Sequence, residues 1–65
     1  MVQRVKVLVV EDERPLAQVI AGYLREETFE VLVAHDGPAA VEAARAHEPD
    51  LVVLDVMLPG FDGLE

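Results

Sequence analysis

The chain has 65 residues, contains no cysteine and carries a formal net charge of -8 at pH 7. This length fits one domain, the lack of cysteine excludes a disulfide scaffold or a thiolate metal site, and the acidic balance argues against direct contact with nucleic acid. No apolar run approaches the roughly 20 residues of a membrane span, and no signal peptide is visible. A cytoplasmic protein without membrane contact is therefore expected.

A buried strand that runs into acidic residues is the first predicted element. In VLVVEDE, residues 7–13, the apolar run is followed directly by Glu11, Asp12 and Glu13. A strand that is apolar on both faces is typical of a parallel sheet with both faces covered. Adjacent carboxylates repel one another and need water or a cation, so this strand end is the first candidate binding site.

A helix is predicted to follow, beginning near Pro15 and ending near Glu27. Proline suits the first helical position because its missing N–H is not needed there. Apolar residues then recur at helical spacing, which predicts that they form the buried stripe of the helix: Leu16, Val19, Ile20, Tyr23 and Leu24.

The remaining elements continue the alternation. FEVLVA (29–34) predicts a second strand, after which HDGP breaks the pattern and Pro38 opens a second helix that stops before Pro49. LVVLD (51–55) predicts a third strand, followed by a loop in LPGFDG and the start of a third helix. The second helix has a narrow apolar face: Ala40, Val41 and Ala44. This order predicts an α/β fold with parallel strands joined by right-handed crossovers.

The carboxyl ends of the first and third predicted strands are both acidic: residues 11–13 follow the first, and Asp55 ends the third. Ligands of parallel α/β sheets gather at this edge. Carboxylates brought together there must be neutralised, protonated or bound to a cation. Mg²⁺ is the favoured cation, because it takes one or two carboxylates, keeps several waters and shares a phosphate. One carboxylate could also attack phosphorus to form an acyl phosphate. Glu13 is predicted to be solvated, and His35 and His47 are predicted to be surface residues.

These residues closely resemble the receiver domain of two-component response regulators. VLVVEDE resembles that family's first strand and acidic pair, and LVVLDVMLPGFDG resembles its third strand, phospho-acceptor and following loop. The resemblance spans residues 1–65. It implies the N-terminal half of a flavodoxin-like, doubly wound receiver fold, with a parallel three-stranded sheet in the order 2-1-3. The C-terminal half of the domain and any output domain are expected to lie outside this chain.

The resemblance also implies roles for individual residues. Asp55 would accept a phosphoryl group from a sensor histidine kinase. Asp12 would bind Mg²⁺ directly, Glu11 would help to hold the ion, and the backbone carbonyl of Met57 would be a further ligand alongside Asp55. The chain would assist only its own phosphorylation and dephosphorylation, and would not be an enzyme for other substrates. Joined to an effector, it would regulate transcription.

The chain departs from the family pattern in two respects. Glu11 stands where an aspartate is common. The Ser or Thr and the Lys that read out phosphorylation in complete receiver domains have no counterpart, because Lys6 and Thr28 fall at the wrong end of their strands. Without the second half of the domain the third strand would be an exposed edge, which predicts self-association through that edge or the sheet face.

Two other classes of function stay open. An aspartyl phosphatase or phosphotransferase of similar fold would place a second aspartate two residues after the nucleophile, where this chain has Met57. An interaction module independent of phosphorylation would only make contacts with a partner, and its acidic residues would have no chemical role. Trapping with beryllofluoride and Mg²⁺ would separate signalling from simple interaction, and multiple turnover on phosphoesters would indicate an enzyme.

Overall fold

The computed structural model describes residues 4–54. Strands and helices alternate as predicted, with boundaries close to the expected ones: β1 (Lys6–Val10), α1 (Arg14–Glu26), β2 (Glu30–Ala34), α2 (Gly37–His47) and β3 (Leu51–Leu54). No helix in this part of the chain is long and apolar enough to cross a membrane. The predicted loop after the third strand and the start of a third helix lie outside the described residues.

The strands form a parallel sheet in the order β2-β1-β3, which confirms the predicted fold class and strand order. The ladders bring Val10, the last residue of β1, level with Ala34 on one side and Leu54 on the other. β2 lies on one side of β1, and β3 lies on the other. Right-handed crossovers to these two strands therefore place α1 and α2 on opposite faces of the sheet. This reversal between β1 and β3 creates a crevice at their carboxyl ends, where such sheets bind ligands.

β1 is the centre of the hydrophobic core, and its residues Val7–Val10 are at most 2% exposed. Leu8 and Val10 face α2. They pack there with small or half-buried side chains of β2 and α2: Leu32, Ala34, Ala40, Ala43 and Ala44. On the opposite face, α1 packs on β1, and Val9 and Leu16 line the same groove. Both faces of β1 are covered, as an uninterrupted apolar strand requires.

The buried face of α1 differs from the predicted stripe. Tyr23, predicted to be in the core, is 71% exposed, and Val19 is 55% exposed. The fully buried residues of this helix are Ala17 and Ala21. Small side chains let a helix lie close against the sheet, so α1 turns Ala17 and Ala21 inward, while Ile20 and Leu24 of the predicted stripe are half-buried. In α2, Val41 belongs to the predicted apolar face, but it is 57% exposed.

β3 is the least covered strand. Within residues 4–54 it packs against β1, whereas both helices pack on β1 and β2. Leu51, Val52 and Leu54 are accordingly 54%, 50% and 38% exposed. β3 is thus an apolar edge strand of the described sheet, and an edge strand carries backbone N–H and C=O groups on the side away from its neighbour.

Asp50 and Lys6 join the amino-terminal ends of β3 and β1. The Asp50 carboxylate accepts the backbone N–H of Lys6 at 2.8 Å, and the backbone N–H of Asp50 donates to the Lys6 carbonyl at 2.7 Å. The Lys6 ammonium donates to the His47 carbonyl at 2.8 Å, at the end of α2, where a cation is favourable. Lys6 therefore acts as a structural residue at the edge opposite to the acidic residues.

The turn between α1 and β2 contains a strained residue. Thr28 has a φ of 70°, a left-handed conformation that β-branched residues rarely adopt. Its N–H donates to the Arg25 carbonyl at 2.9 Å, and the Phe29 N–H donates to the Leu24 carbonyl at 3.1 Å. This is the hydrogen-bond pattern of a Schellman helix end, in which the left-handed residue is usually glycine.

Thr28→Gly is therefore expected to raise the free energy of unfolding by about 1 kcal/mol, because glycine removes the Cβ clash at positive φ and keeps both hydrogen bonds. Urea unfolding followed by far-UV circular dichroism measures the change. Thr28→Ala, which keeps Cβ, is the control and should gain much less. A Thr28→Gly variant that is no more stable than Thr28→Ala would contradict strain at this turn.

Candidate functional site

The acidic segment that ends β1 lies at the carboxyl edge of the sheet. Glu11 follows Val10 directly and is only 2% exposed, while Asp12 and Glu13 are exposed. α1 begins at Arg14, so this acidic turn, residues 11–13, is held between a buried strand and a helix. The exposed position of Glu13 agrees with its predicted solvation.

Glu11 is anchored by its backbone and by its side chain. Its N–H donates to the Ala34 carbonyl at 3.0 Å, which extends the pairing with β2 by one residue. Its carboxylate Oε2 accepts the N–H of Glu13 at 3.0 Å. Such donors compensate a buried carboxylate for the water it has lost. Glu11 therefore closes the acidic turn and leaves Asp12 at the exposed tip.

The structure adds His35 to this edge of the sheet: the residue was predicted to lie at the surface, and it is half-buried. Nδ1 of its ring lies 3.0 Å from the Glu11 carbonyl oxygen. A carbonyl only accepts, so Nδ1 carries the hydrogen and donates. The sequence contained one indication that His35 lies near the site, because this residue directly follows β2 at the carboxyl edge of the sheet. His47, by contrast, is exposed, as predicted.

Grooves flank the carboxyl ends of β1 and β3 on both faces of the sheet. The larger groove, of about 450 Å³, lies on the α2 face; Asp12, His35 and Asp36 form its polar end, and most of its wall is apolar, including Leu54. The smaller groove, of about 300 Å³, lies on the α1 face and includes Glu11. The acidic turn thus stands between crevices at the point where the strand order reverses, as expected of a ligand site in an α/β sheet.

The donors at this edge fit a hard divalent cation. Glu11 and Asp12 supply carboxylate oxygens, the ligands that Mg²⁺ prefers. Within residues 4–54 no group of three or more Asp, Glu, His or Cys side chains is close enough together to hold a metal ion. The other predicted ligands, Asp55 and the Met57 carbonyl, lie outside the described residues. The structure therefore describes only part of the predicted ligand set.

The register of the sheet relates the acidic turn to the end of β3. Val10 of β1 and Leu54 of β3 are paired. In the sequence, Glu11 follows the first of these residues and Asp55 follows the second. Within residues 4–54, the last pair of these two strands therefore consists of residues that each precede a carboxylate in the sequence.

A comparison with protein families agrees with this arrangement. The family model of the response regulator receiver domain matches residues 7–65, a segment that covers nearly all of the described sheet and both helices. The match also includes the acidic turn and Asp55. The chain therefore belongs to the response regulator receiver domain family, whose members act in phosphorylation-dependent signalling with histidine kinases or other phosphotransfer partners.

Proposed function

We propose that this chain is a phospho-acceptor: Asp55 takes a phosphoryl group from a sensor histidine kinase with the help of Mg²⁺, and in the full-length protein this event regulates transcription. The observation that carries the proposal is the pairing of Val10 with Leu54, directly before Glu11 and Asp55 in the sequence. Paired parallel strands are a rigid support for chemistry at this edge. Membership of the receiver family supports the reaction class.

Asp12 is the described residue best placed to bind the metal ion. It is exposed at the tip of the acidic turn, whereas Glu11 is buried and already accepts a backbone N–H. Receiver domains generally depend on Mg²⁺, and here the ion would be held by Asp12, Glu11, Asp55 and the Met57 carbonyl. When bound, it neutralises charge on the phosphoryl group during transfer.

The proposed chemical step is a transfer to a carboxylate oxygen. A lone pair of Asp55 forms the new O–P bond while the bond between phosphorus and the kinase imidazole nitrogen breaks, and the nitrogen keeps that electron pair. The product is an acyl phosphate on the chain itself. We therefore propose that the chain is a signalling protein and not an enzyme for other substrates. We also propose that it is located in the cytoplasm, as expected from the sequence.

Self-association through β3 is the second part of the proposal, and the occupant we propose is another copy of this chain. Within the described part of the chain, β3 is covered by β1 alone, and it presents Leu51 and Val52 to its surroundings. A second copy offers the same edge, so a symmetric pair satisfies the backbone groups of both strands. The net charge of -8 opposes association without covering the edge.

Asp12→Ala is expected to abolish the response of the chain to Mg²⁺, because it removes the exposed carboxylate ligand. Amide chemical shifts near the acidic turn, followed during a Mg²⁺ titration, measure this response. Glu13→Ala is the matched control: it removes the same charge one residue away and should change the affinity by about threefold or less. Beryllofluoride, which mimics a phosphoryl group, should cause further shifts with Mg²⁺ in the wild type and none in Asp12→Ala.

A Mg²⁺ response that survives in Asp12→Ala, or an equal loss in both variants, would contradict Asp12 as a metal ligand. If the wild type binds Mg²⁺ but forms no complex with beryllofluoride, the interaction module becomes the better description of the chain. Multiple turnover on phosphoesters would instead indicate a phosphatase or phosphotransferase.

A further inference from the structure

We propose that His35 is a positioning residue for the acidic turn: its imidazole fixes the backbone of Glu11 and thereby the direction of Asp12. The inference deepens the proposed function, because it concerns the same metal site, and its consequence for Mg²⁺ binding rests on that function. His35 acts here through the backbone and is not assigned as a metal ligand.

Glu11 is held from the β2 side at both of its backbone polar groups. Its N–H donates to the Ala34 carbonyl at 3.0 Å, and its carbonyl accepts from Nδ1 of His35 at 3.0 Å. In a regular parallel ladder both bonds are made by backbone groups of the neighbouring strand. β2 ends at Ala34, so the side chain of His35 supplies the second donor just beyond the end of the ladder.

His35 is itself held firmly at this position. The residue is half-buried, and it lines the groove on the α2 face, as Asp12 also does. The next residue, Asp36, caps α2, with Oδ1 accepting the N–H of Ala39 at 2.8 Å. The backbone of His35 therefore lies between the end of one strand and the anchored start of a helix, and its ring reaches across to β1 from a fixed base.

The consequence is a turn whose geometry is set before any ligand binds. The carbonyl of Glu11 and the N–H of Asp12 belong to one rigid peptide plane. A hydrogen bond that holds the carbonyl therefore holds the whole plane and limits the directions in which Asp12 can point. Groups that orient metal ligands in this way commonly change metal affinity by about tenfold or more when they are removed.

Substitutions at His35 separate this hydrogen bond from simple packing. In His35→Asn the amide nitrogen can take the place of Nδ1, so the bond to Glu11 is kept. In His35→Leu a bulky side chain is kept and the donor is lost. His47→Leu, at the exposed histidine of α2, controls for the loss of a histidine elsewhere. Urea unfolding of each variant reports whether the fold is retained.

His35→Leu is expected to reduce both the order of the acidic turn and the affinity for Mg²⁺. His35→Asn is expected to keep both close to those of the wild type. Amide shifts and relaxation of residues 11–13, measured without metal, should show a turn that is ordered in every protein except His35→Leu. The dissociation constant for Mg²⁺ should rise about tenfold in His35→Leu and stay within about threefold of wild type in the other two variants. Nitrogen chemical shifts of the wild-type ring should place the hydrogen on Nδ1.

Equal behaviour of His35→Asn and His35→Leu, or a wild-type ring with its hydrogen on Nε2 alone, would overturn the role of His35. If His35→Leu does not fold, His35→Gln takes its place, because it keeps an amide but moves the donor away from the position of Nδ1. A wild-type chain that binds no Mg²⁺ would overturn the proposed function instead. The order of residues 11–13 without metal would then still decide whether His35 positions the turn.

Discussion

Asp55→Asn is expected to abolish phosphorylation. In a protein that contains this segment, a histidine kinase or acetyl phosphate should label the wild type and leave the variant unlabelled, because an amide lacks the nucleophilic carboxylate oxygen. Asparagine keeps the size of the side chain, so the fold should be nearly unchanged. Radioactive phosphate measures the transfer, and base or hydroxylamine should release it, since an acyl phosphate is labile where a phosphoserine is not.

Asp36→Asn is the matched control for this experiment. Asp36 lies at the same edge of the sheet and caps α2 through Oδ1, and asparagine caps helices about as well as aspartate does. Its labelling should equal that of the wild type. Label that persists in Asp55→Asn would show that the acceptor lies elsewhere, and equal loss in both variants would show a general effect of charge.

Val52→Lys is expected to shift the chain from a concentration-dependent assembly toward a monomer. Val52 is 50% exposed on β3, and β3 is covered by β1 alone within residues 4–54. A lysine on an edge strand opposes pairing because its charge would be buried when two edges meet. The dissociation constant of the assembly should rise by about tenfold or more. Sedimentation velocity at several concentrations measures the change.

Val19→Lys is the matched control for association. Val19 is 55% exposed and lies on α1, which does not pack on β3 in the described part of the chain. The variant therefore adds the same charge at similar exposure away from the edge, and it should associate like the wild type. Dissociation of both variants would indicate general repulsion. A wild type that unfolds cooperatively and sediments as a monomer at every concentration would rule out β3 as an association surface.

Local patterns in the sequence were enough for the fold class, the order of the elements and the position of the acidic turn. The apolar run 7–10 has no polar face, so it needs cover on both sides, and β1 is the central strand of the described sheet. Proline and glycine near the helix ends act on their own backbone and their nearest neighbours, so their effects can be predicted without the fold. The acidic turn follows from the same local reasoning, because Glu11 comes directly after the last buried residue of β1.

Tertiary packing decided which side chains of each helix are buried. Tyr23 and Ala21 fit helical spacing equally well, but the sheet accepts the smaller side chain and leaves Tyr23 71% exposed. The intervals between apolar residues in the sequence show only which residues share a face of the helix. The room between the helix and the sheet determines which face is turned inward.

Tertiary structure also decided how the acidic turn is held. Glu11 and Asp12 are adjacent carboxylates in the sequence, yet the first is buried and the second exposed. Glu11 still hydrogen-bonds to the end of β2, and Asp12 lies one residue farther from the sheet. His35 contacts a residue 24 positions earlier in the chain, and no local pattern marks that partner. The contact exists because β2 pairs with β1 in one register, which brings the end of one strand beside the turn that follows the other.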